Sequence, residues 1–457
     1  MALKPLEAAA RLRGQSGRVL LHSGANPDND GRYSFVSCSP HTELVATRER
    51  VSVTGRYNFT LAPNGAFDAI DRLLQETEQH DGAPVPVLIG YLGYTLSGVA
   101  ARIGRAAKKN MHSSPDAWFG MYGAVYRYDH QQETGVVVGE DEVARAELER
   151  LLSHSPPVTS VPILGPLSAE TGIDDSYKKG VLAVKEYLLA GDVYQVNLSR
   201  RLTAKVLSSG DPLGLYQKIA EANPSAFGAL LELSFGCILS ASPERFLLRT
   251  GPNERVETRP IKGTRARTGN KEEDILRKQE LLESEKERAE HLMIVDLERN
   301  DLGRIAQAGT VSVDSFARVI ELPNLFHVIS TVSCLPRADV TAGEILTNTF
   351  PGGSITGAPK RRAMEVIEEL ESVPRGVYTG AVGYLSAGGG MDFNIAIRTG
   401  TLTETEFSLS VGGGIVADST HTRELAETEE KAAGWRKALE HAREAEELPK
   451  SFDLAQI

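Results

Sequence analysis

A proline-rich segment constrains the fold of this chain more than any other feature, because it divides the sequence into two unlike parts. Residues 153–172 contain four prolines and few charges, a composition typical of a connecting segment. Before it, β-branched and aromatic runs such as residues 18–21 and 32–36 predict strands separated by turns. After it, helical and strand patterns alternate. The sequence therefore predicts a β-rich N-terminal subdomain, residues 1–155, and a second subdomain, residues 170–447.

Several elements can be placed from hydrophobic periodicity alone. Residues 121–138 predict two strands around a polar turn, and a helix is predicted at about residues 140–152. Apolar residues recur three or four apart between Tyr177 and Leu188, which predicts a helix that ends near Gly191. A charged helix is predicted at about residues 422–447.

Charge and cysteine usage exclude several classes of protein. The 457 residues include 50 Lys and Arg against 61 Asp and Glu, a net charge of −11, which argues against bulk nucleic-acid binding. An anionic ligand would therefore need a local cationic pocket or a metal ion. Three widely spaced cysteines favour a reduced, cytoplasmic setting over a disulfide framework or a zinc site. No signal-peptide pattern opens the sequence, and prolines and glycines interrupt the uncharged residues 84–101, so we predict no membrane span.

Acidic residues on two predicted helices are candidates for a metal site. Glu290 lies near the start of one helix, and Glu424 and Glu427 share a face of the last helix at i, i+3. Carboxylates from separate helices can form the hard-oxygen site that Mg²⁺ prefers, together with substrate oxygens and water. For either helix alone, a solvated acidic face is the more common explanation. The metal site is therefore a hypothesis that depends on other evidence.

Two glycine clusters and one lysine can also be explained either by local structure or by a binding site. In residues 351–360 we expect Thr356 to cap a helix with Pro359 in its first turn, where backbone N–H groups could bind a carboxylate. The glycines of residues 411–415 let a ligand approach the backbone closely. Tight turns explain such clusters equally well. Lys262, in a strand-like segment, either extends to solvent or serves a site.

Taken together, these segments resemble the chorismate-utilising enzyme family, which includes anthranilate, aminodeoxychorismate, isochorismate and salicylate synthases. The resemblance covers about residues 170–445 and depends on six motifs in a fixed order. They are residues 191–198, 242–246, 258–265, the helix that carries Glu290, residues 351–360 and residues 412–427. It implies an α/β (α+β) fold of layered, mostly antiparallel β-sheets wrapped by helices, like that of anthranilate synthase component I. It also implies that residues 170–447 are a catalytic domain that binds chorismate.

Two positions distinguish members of this family. Isochorismate and salicylate synthases resemble one another in having a water-activating lysine where this chain has Gln195, so the resemblance implies ammonia as the nucleophile. Anthranilate synthases typically have alanine where this chain has Lys262, and the lysine is similar to members that make 4-amino-4-deoxychorismate for folate. The implied route is covalent. Lys262 attacks C2 of chorismate while Glu244 protonates the departing C4 hydroxyl, and ammonia then adds at C4 and expels the lysine.

The resemblance implies roles for further residues. His327 is a candidate catalytic residue, and Glu290 and Glu427 would hold Mg²⁺, with Glu424 beside them or acting through water. Contacts to the substrate are implied for Gly263, Thr264, Ser354, Tyr378, Arg398, Gly412, Gly413, Gly414 and Lys431. An arginine can bind a carboxylate through two parallel hydrogen bonds, which orients the substrate as well as attracting it.

Partners and alternatives complete the expectations. No glutaminase-like segment is visible, so ammonia is expected from solution or from a separate glutamine amidotransferase subunit. Residues 20–23 and 31–35 resemble the family segment that can hold tryptophan, with His22 where anthranilate synthases typically have Glu. One alternative is anthranilate synthase component I, which aminates C2 and eliminates pyruvate. A second is a non-catalytic homologue that binds chorismate as a regulatory subunit.

Overall fold

Two large antiparallel β-sheets form the frame of the molecule in a computed structural model of the chain. The structure describes residues 2–24, 31–77, 83–97, 114–156, 160–251, 253–322 and 325–447. Neighbouring strands in both sheets run antiparallel. The expected class, antiparallel sheets wrapped by helices, is confirmed.

Ten α-helices are described in these ranges. They are α1 (Pro5–Arg11), α2 (Ala66–Leu74), α3 (Glu142–Ser153), α4 (Ile173–Leu189), α5 (Pro212–Ala222), α6 (Lys271–Glu283), α7 (Glu285–Gly303), α8 (Ala342–Thr349), α9 (Lys360–Leu370) and α10 (His421–Glu447). Short 3₁₀ turns occupy Tyr94–Leu96, Gly353–Ile355 and Ala387–Gly389.

The strands, in chain order, are β1 (Val19–His22), β2 (Tyr33–Ser37), β3 (Thr42–Ala46), β4 (Val51–Gly55), β5 (Phe59–Leu61), β6 (Pro86–Leu92), β7 (Ala117–Met121), β8 (Val125–Asp129), β9 (Thr134–Val138), β10 (Ile163–Leu164), β11 (Ser168–Ala169), β12 (Gln195–Ser208), β13 (Phe227–Leu233), β14 (Gly236–Ser242), β15 (Arg245–Arg249), β16 (Val256–Arg259), β17 (Ile261–Ala266), β18 (Ser312–Glu321), β19 (Leu325–Cys334), β20 (Gly357–Ala358), β21 (Ala381–Ser386), β22 (Met391–Ile395), β23 (Thr399–Leu402) and β24 (Glu406–Ile415). One sheet follows the order β10-β12-β24-β23-β14-β13-β1-β2-β8-β9, and β11 and β20 also pair with β12. The other follows β17-β19-β16-β15-β22-β21-β6-β7-β3-β4-β5, and β18 also pairs with β19.

The sheets pack face to face because their central strands are apolar on both sides. In β1, Val19 belongs to the core between the sheets, whereas the next residue, Leu20, belongs to the core under the helices. In β6, Ile89 and Tyr91 point to the same inner core and Leu88 points to the outer one. Since successive side chains on a strand face opposite ways, continuous apolar runs mark strands buried on both faces.

The predicted elements are largely confirmed. The helices expected at residues 140–152, 177–191 and 422–447 are α3, α4 and α10, and residues 121–138 contain β8 and β9. Residues 84–101 were expected to form buried strands and turns, and β6 and the turn at 94–96 do so, although residues 98–101 lie outside the described ranges. Among the described residues, no helix has the length and apolar character needed to cross a bilayer.

The proline-rich segment differs from a simple connection. Its residues 163–164 and 168–169 form β10 and β11, which pair with β12, while residues 157–159 lie outside the described ranges. Both sheets contain strands from either side of this segment. The two predicted subdomains therefore both contribute strands to both sheets, and the boundary between them stays a prediction.

Candidate active site

Glu244 occupies the short turn between β14 and β15, and the turn is fixed by its own hydrogen bonds. The hydroxyl of Ser242 donates to the carbonyl of Ile395 at 2.6 Å and accepts the N–H of Glu244 at 3.3 Å. The carbonyl of Glu244 accepts the N–H of Ile395 at 3.0 Å. The side chain is only 5% exposed. The backbone therefore holds this carboxyl inside the protein.

Burial sets the protonation of Glu244. It raises the pKa of the carboxyl from 4.5 to about 7, even though Ser354, the N–H of Ile261 and the charge of Lys262 all favour the ionised form. The hydroxyl of Ser354 donates to Oε1 of Glu244 at 2.6 Å. A carboxyl with such a pKa can give up or accept a proton near neutral pH, as a general acid requires.

Lys262 lies on β17, half-buried, with Nζ 2.6 Å from Oε2 of Glu290 on α7. Its charge also affects the titration of Glu244 and of the buried His291. The side chain is therefore directed into the protein, and the alternative in which it merely extends to solvent does not describe it. The structure brings an amine and a buried acid into one region.

His327 and Arg398 form a second part of this region. Nδ1 of His327 lies 2.9 Å from Oγ1 of Thr264, and burial together with the charge of Arg398 lowers the pKa of His327 to about 3. The imidazole is therefore neutral at neutral pH. Its Nε2 is buried and has no hydrogen-bond partner in the described part of the chain.

Arg398 follows β22 with a φ of +48°, a left-handed conformation that is rare and strained for a residue with a side chain. Burial lowers the pKa of its guanidinium. Over the ranges that the structure describes, no carboxylate pairs with this side chain. A half-buried cation of this kind is suited to bind a carboxylate of a ligand.

Thr356 does not cap a helix, and this expectation was wrong. Its hydroxyl donates to the carbonyls of Gly352 and Gly353, at 3.2 and 3.0 Å, and Pro359 is the N-cap residue of α9. The reason is tertiary. Residues 357–358 form β20, which pairs with β12, so the helix begins only at Lys360.

Gly413 of β24 faces the last helix, α10. A Cβ added to Gly413 would lie 3.2 Å from Oε2 of Glu424 and 3.4 Å from Oε1 of Glu427, so both carboxylates converge on this glycine. The predicted shared face of these two residues is therefore confirmed. Lys431 lies 2.7 Å from Oε1 of Glu427 and donates to the carbonyl of Gly412 at 2.7 Å.

Strand β12 connects the two groups of residues. Asn197 pairs with Gly414 in the sheet, and its N–H donates to the carbonyl of Thr356 at 2.8 Å. The buried Arg375 donates to the carbonyls of Asn197 and Ile355, at 2.5 and 3.1 Å. The turn that carries Ser354, whose hydroxyl binds the acid Glu244, is thus tied to the strand that pairs with the glycines of β24.

Sequence reasoning missed Tyr177, which it counted as part of an apolar helical face. Burial and the nearby Glu424, Tyr378 and Glu427 raise the pKa of its hydroxyl. This hydroxyl, like Oε1 of Gln195, is buried and finds no hydrogen-bond partner among the described residues. Nothing in an apolar periodicity distinguishes such a tyrosine from a core residue. Buried polar atoms without partners are rare, so these two atoms are candidates to contact a polar ligand.

The donor groups present are compatible with Mg²⁺. Within the described residues no group of three or more His, Cys, Asp and Glu is arranged to hold a metal ion, so Glu290, Glu424 and Glu427 do not form a ready three-carboxylate cluster. The pair at Gly413 nevertheless offers hard oxygen donors, and Mg²⁺ commonly takes one or two carboxylates with water and substrate. The ion itself, and Glu290 as its ligand, stay predictions.

A separate cavity of about 260 Å³ lies at the N-terminal segment that was expected to hold tryptophan. Its lining includes Leu21, His22, Ser23, Tyr33 and, from the other sheet, Tyr384. Burial and the charge of His130 lower the pKa of His22 to about 4, so this side chain is neutral near pH 7. The segment thus forms a cavity, and its ligand stays a prediction.

Comparison with known proteins identifies the family. The model of the chorismate binding enzymes matches residues 28–437, and the chain belongs to this family. The aminodeoxychorismate synthase component 1 of Klebsiella aerogenes is 36% identical over 429 residues, covering 92% of this chain and 93% of the relative. The anthranilate synthase component 1 of Acinetobacter calcoaceticus is 32% identical over 465 residues, covering 95% and 92%. The crystal structure of anthranilate synthase component I from Streptococcus pneumoniae TIGR4 has a TM-score of 0.79 and 30% identity, covering 95% of this chain and 97% of that one.

The protein is therefore a chorismate-utilising enzyme, with an anthranilate synthase component I fold. Of the residues that the sequence motifs singled out, Lys262 lies beside Glu290 and acts electrostatically on Glu244, and Glu424 and Glu427 converge on Gly413. Because relatives with two different reactions match at similar identity, the reaction of this chain has to be argued from its own side chains.

Proposed function

We propose that this chain is an aminodeoxychorismate synthase component I, which converts chorismate and ammonia to 4-amino-4-deoxychorismate for folate biosynthesis. The observation that carries the proposal is the placement of Lys262. Its amine lies 2.6 Å from Glu290 and acts electrostatically on the buried acid Glu244. A nucleophile and an acid in one region are what a two-step displacement at a poor leaving group needs. Relatives of that name at 36% identity support it.

The proposed reaction begins when the ion pair between Lys262 and Glu290 opens and the ammonium of Lys262 loses a proton to solvent water. The amine attacks C2, the diene shifts, and the C4–O bond breaks as Glu244 gives its proton to the departing hydroxyl, which leaves as water. Ammonia then adds at C4, the double bonds shift back, and the C2–N bond to Lys262 breaks. The enolpyruvyl ether is untouched. Glu244 recovers a proton when ammonia becomes an amine.

Substrate binding follows from the polar atoms without partners. Arg398 would bind a carboxylate of chorismate, and the unpartnered Nε2 of His327 could orient the ring. The buried Tyr378, which lies near Tyr177, is a further contact that the resemblance implies. Oε1 of Gln195, which lies beside Gly414, can accept a hydrogen bond from ammonia. A glutamine cannot deprotonate water as a lysine could, which favours ammonia as the nucleophile.

Magnesium belongs to the same proposal. Glu424 and Glu427, with Glu290 as the resemblance implies, would hold the ion, and Lys431 would release Glu427 to it. When bound, the ion supplies positive charge that offsets the dianionic substrate in a protein of net charge −11.

Product identification tests the proposal. Parent enzyme and Lys262→Ala are incubated with chorismate, Mg²⁺ and ammonium, and the products are separated by chromatography. We expect aminodeoxychorismate from the parent, and a loss of this product with a shift to fluorescent anthranilate in the variant, because C2 is then open to ammonia. Lys278→Ala is the matched control, since Lys278 pairs with Glu321 at 2.7 Å on the surface. Mass spectrometry of trapped enzyme should find an adduct on Lys262.

Anthranilate synthase component I is the second candidate, because relatives and a solved structure of that name match almost the whole chain. Its reaction aminates C2, the position that Lys262 is proposed to occupy. Abundant anthranilate and released pyruvate from the parent enzyme would establish this second candidate and overturn the first.

The proposal extends to partners and location. Ammonia would come from a separate glutamine amidotransferase in the cytoplasm. Ammonium should therefore support the reaction of the isolated chain, and glutamine should support it only after that subunit is added.

We also propose that the N-terminal cavity binds tryptophan. Because His22 is neutral there, it offers the ligand's ammonium no charge, and calorimetry should find weak binding.

A further inference from the structure

A second buried acid, Glu298, lies near Glu244, and the proposed reaction does not use it. Glu298 lies on α7 and is only 5% exposed. Its Oε1 accepts the N–H of Gly353 at 2.9 Å, and the next residue, Ser354, donates its hydroxyl to Glu244 at 2.6 Å. The two acids thus hold consecutive residues of one turn.

We propose that Glu298 is a positioning residue, which fixes the turn at residues 353–354 so that the hydroxyl of Ser354 stays on the carboxyl of Glu244. This inference depends on the proposed function, in which Glu244 is the acid. Glu298 itself does not touch the substrate. It acts only through the backbone of Gly353 and the side chain of Ser354.

The packing of the turn supports this role. A Cβ added to Gly353 would lie 2.9 Å from Oε1 of Glu298 and 2.9 Å from Cδ2 of Leu297, so the turn lies directly on α7 with no room for a side chain. On its other side, Lys360 donates to the carbonyl of Pro351 at 2.6 Å and pairs with the buried Asp301. The turn is therefore held through a carbonyl at one end and an amide at the other.

The charges around Glu298 agree with a structural role. Burial and the charges of Asp301 and Glu244 raise the pKa of Glu298 to about 8, while Lys360 and the N–H of Gly353 oppose the rise. Asp301 lies on the same helix, Lys360 on α9 and Glu244 in the β14–β15 turn. Burial and the neighbouring negative charges therefore favour the protonated, neutral form of Glu298 near neutral pH.

A neutral Glu298 predicts that glutamine can replace it, because the amide oxygen accepts the same N–H from Gly353. Alanine cannot. When the turn is released, Glu244 loses the hydrogen bond from Ser354 that favours its ionised form, and the pKa of Glu244 rises further. Loss of one hydrogen bond to a charged group corresponds to about one pH unit.

Four variants test the proposal: Glu298→Gln, Glu298→Ala, Ser354→Ala and the double variant Glu298→Ala/Ser354→Ala. The pKa of Glu244 is read by infrared titration of its protonated carboxyl, assigned by its loss in Glu244→Gln, and the pH profile of kcat is measured beside it. We expect Ser354→Ala and Glu298→Ala to move the titration upward by about one pH unit each. Glu298→Gln should match the parent, and the double variant should move no further than either single variant.

Three results would overturn the proposal: an unchanged titration in Glu298→Ala, shifts that add in the double variant, or Glu298→Gln behaving like Glu298→Ala. If Glu298→Ala does not fold, Gly353→Ala replaces it in the test. The Cβ of the new alanine would push the turn away from an intact Glu298, and this variant should show the same upward shift in the pKa of Glu244. The infrared titration needs no turnover. Failure of the proposed amination would therefore appear in the products, and failure of this inference in the titration.

Discussion

Replacing Glu244 by glutamine should stabilise the protein at neutral and alkaline pH while it removes the acid that the proposed reaction needs. The pKa of this carboxyl is 4.5 in ordinary surroundings and about 7 in the folded protein. Between these values the native state holds a proton that the unfolded state has lost, so stability falls as the pH rises. The difference corresponds to about 3 kcal/mol at ~1.4 kcal/mol per pH unit. The hydrogen bonds from Ser354 and Ile261 are weaker to an amide than to a carboxylate, which would reduce this gain in stability by about 1 kcal/mol.

The expected net gain of Glu244→Gln is therefore about 2 kcal/mol above pH 7, and it should vanish near pH 5. Urea denaturation of parent and variant between about pH 5 and 9 measures it as a difference in the free energy of unfolding. Glu298 also titrates in this range, and loss of the charge of Glu244 lowers its pKa in the variant, which adds to the gain in stability at high pH. A difference independent of pH, or one that makes the variant less stable as the pH rises, would refute the reasoning that burial governs this group.

Three other predictions follow from contacts in the structure. Arg398→Ala should raise KM for chorismate about ten- to a hundredfold. The melting temperature should stay nearly unchanged, because among the described residues the guanidinium has no ion-pair partner to lose. An unaltered KM would exclude Arg398 from the substrate site. Gly357→Ala should lower the free energy of unfolding by about 3 kcal/mol or more in a urea titration, because its Cβ would lie 2.1 Å from the carbonyl oxygen of Gln195 and its φ is +143°. An unchanged free energy of unfolding would show that β20 can move. Glu427→Gln should weaken Mg²⁺ binding at least about tenfold by calorimetry, whereas equal affinity in parent and variant would remove this residue from the metal site.

Local patterns in the sequence were enough to place most of the elements. Helices α3, α4 and α10 follow from periodicity, and strands β1, β2, β8 and β9 follow from apolar runs between turn residues, because both signals involve neighbours within a few positions. The shared face of Glu424 and Glu427 follows from helical spacing in the same way. The order of six motifs was enough to indicate the family, to which the chain belongs.

The tertiary structure decided what depends on residues distant in sequence. The expected helix cap at Thr356 failed because β20 pairs with β12, whose residues lie about 160 positions earlier. Tyr177 and Glu298 gave no signal, since a tyrosine in an apolar stripe and a glutamate on a charged helix look like core and surface residues until burial is known. The pKa of Glu244 depends on desolvation by the folded core and on groups at positions 261, 262 and 354. Desolvation and electrostatics act through space, so the sequence determined which groups are present, and only the fold decided which of them meet.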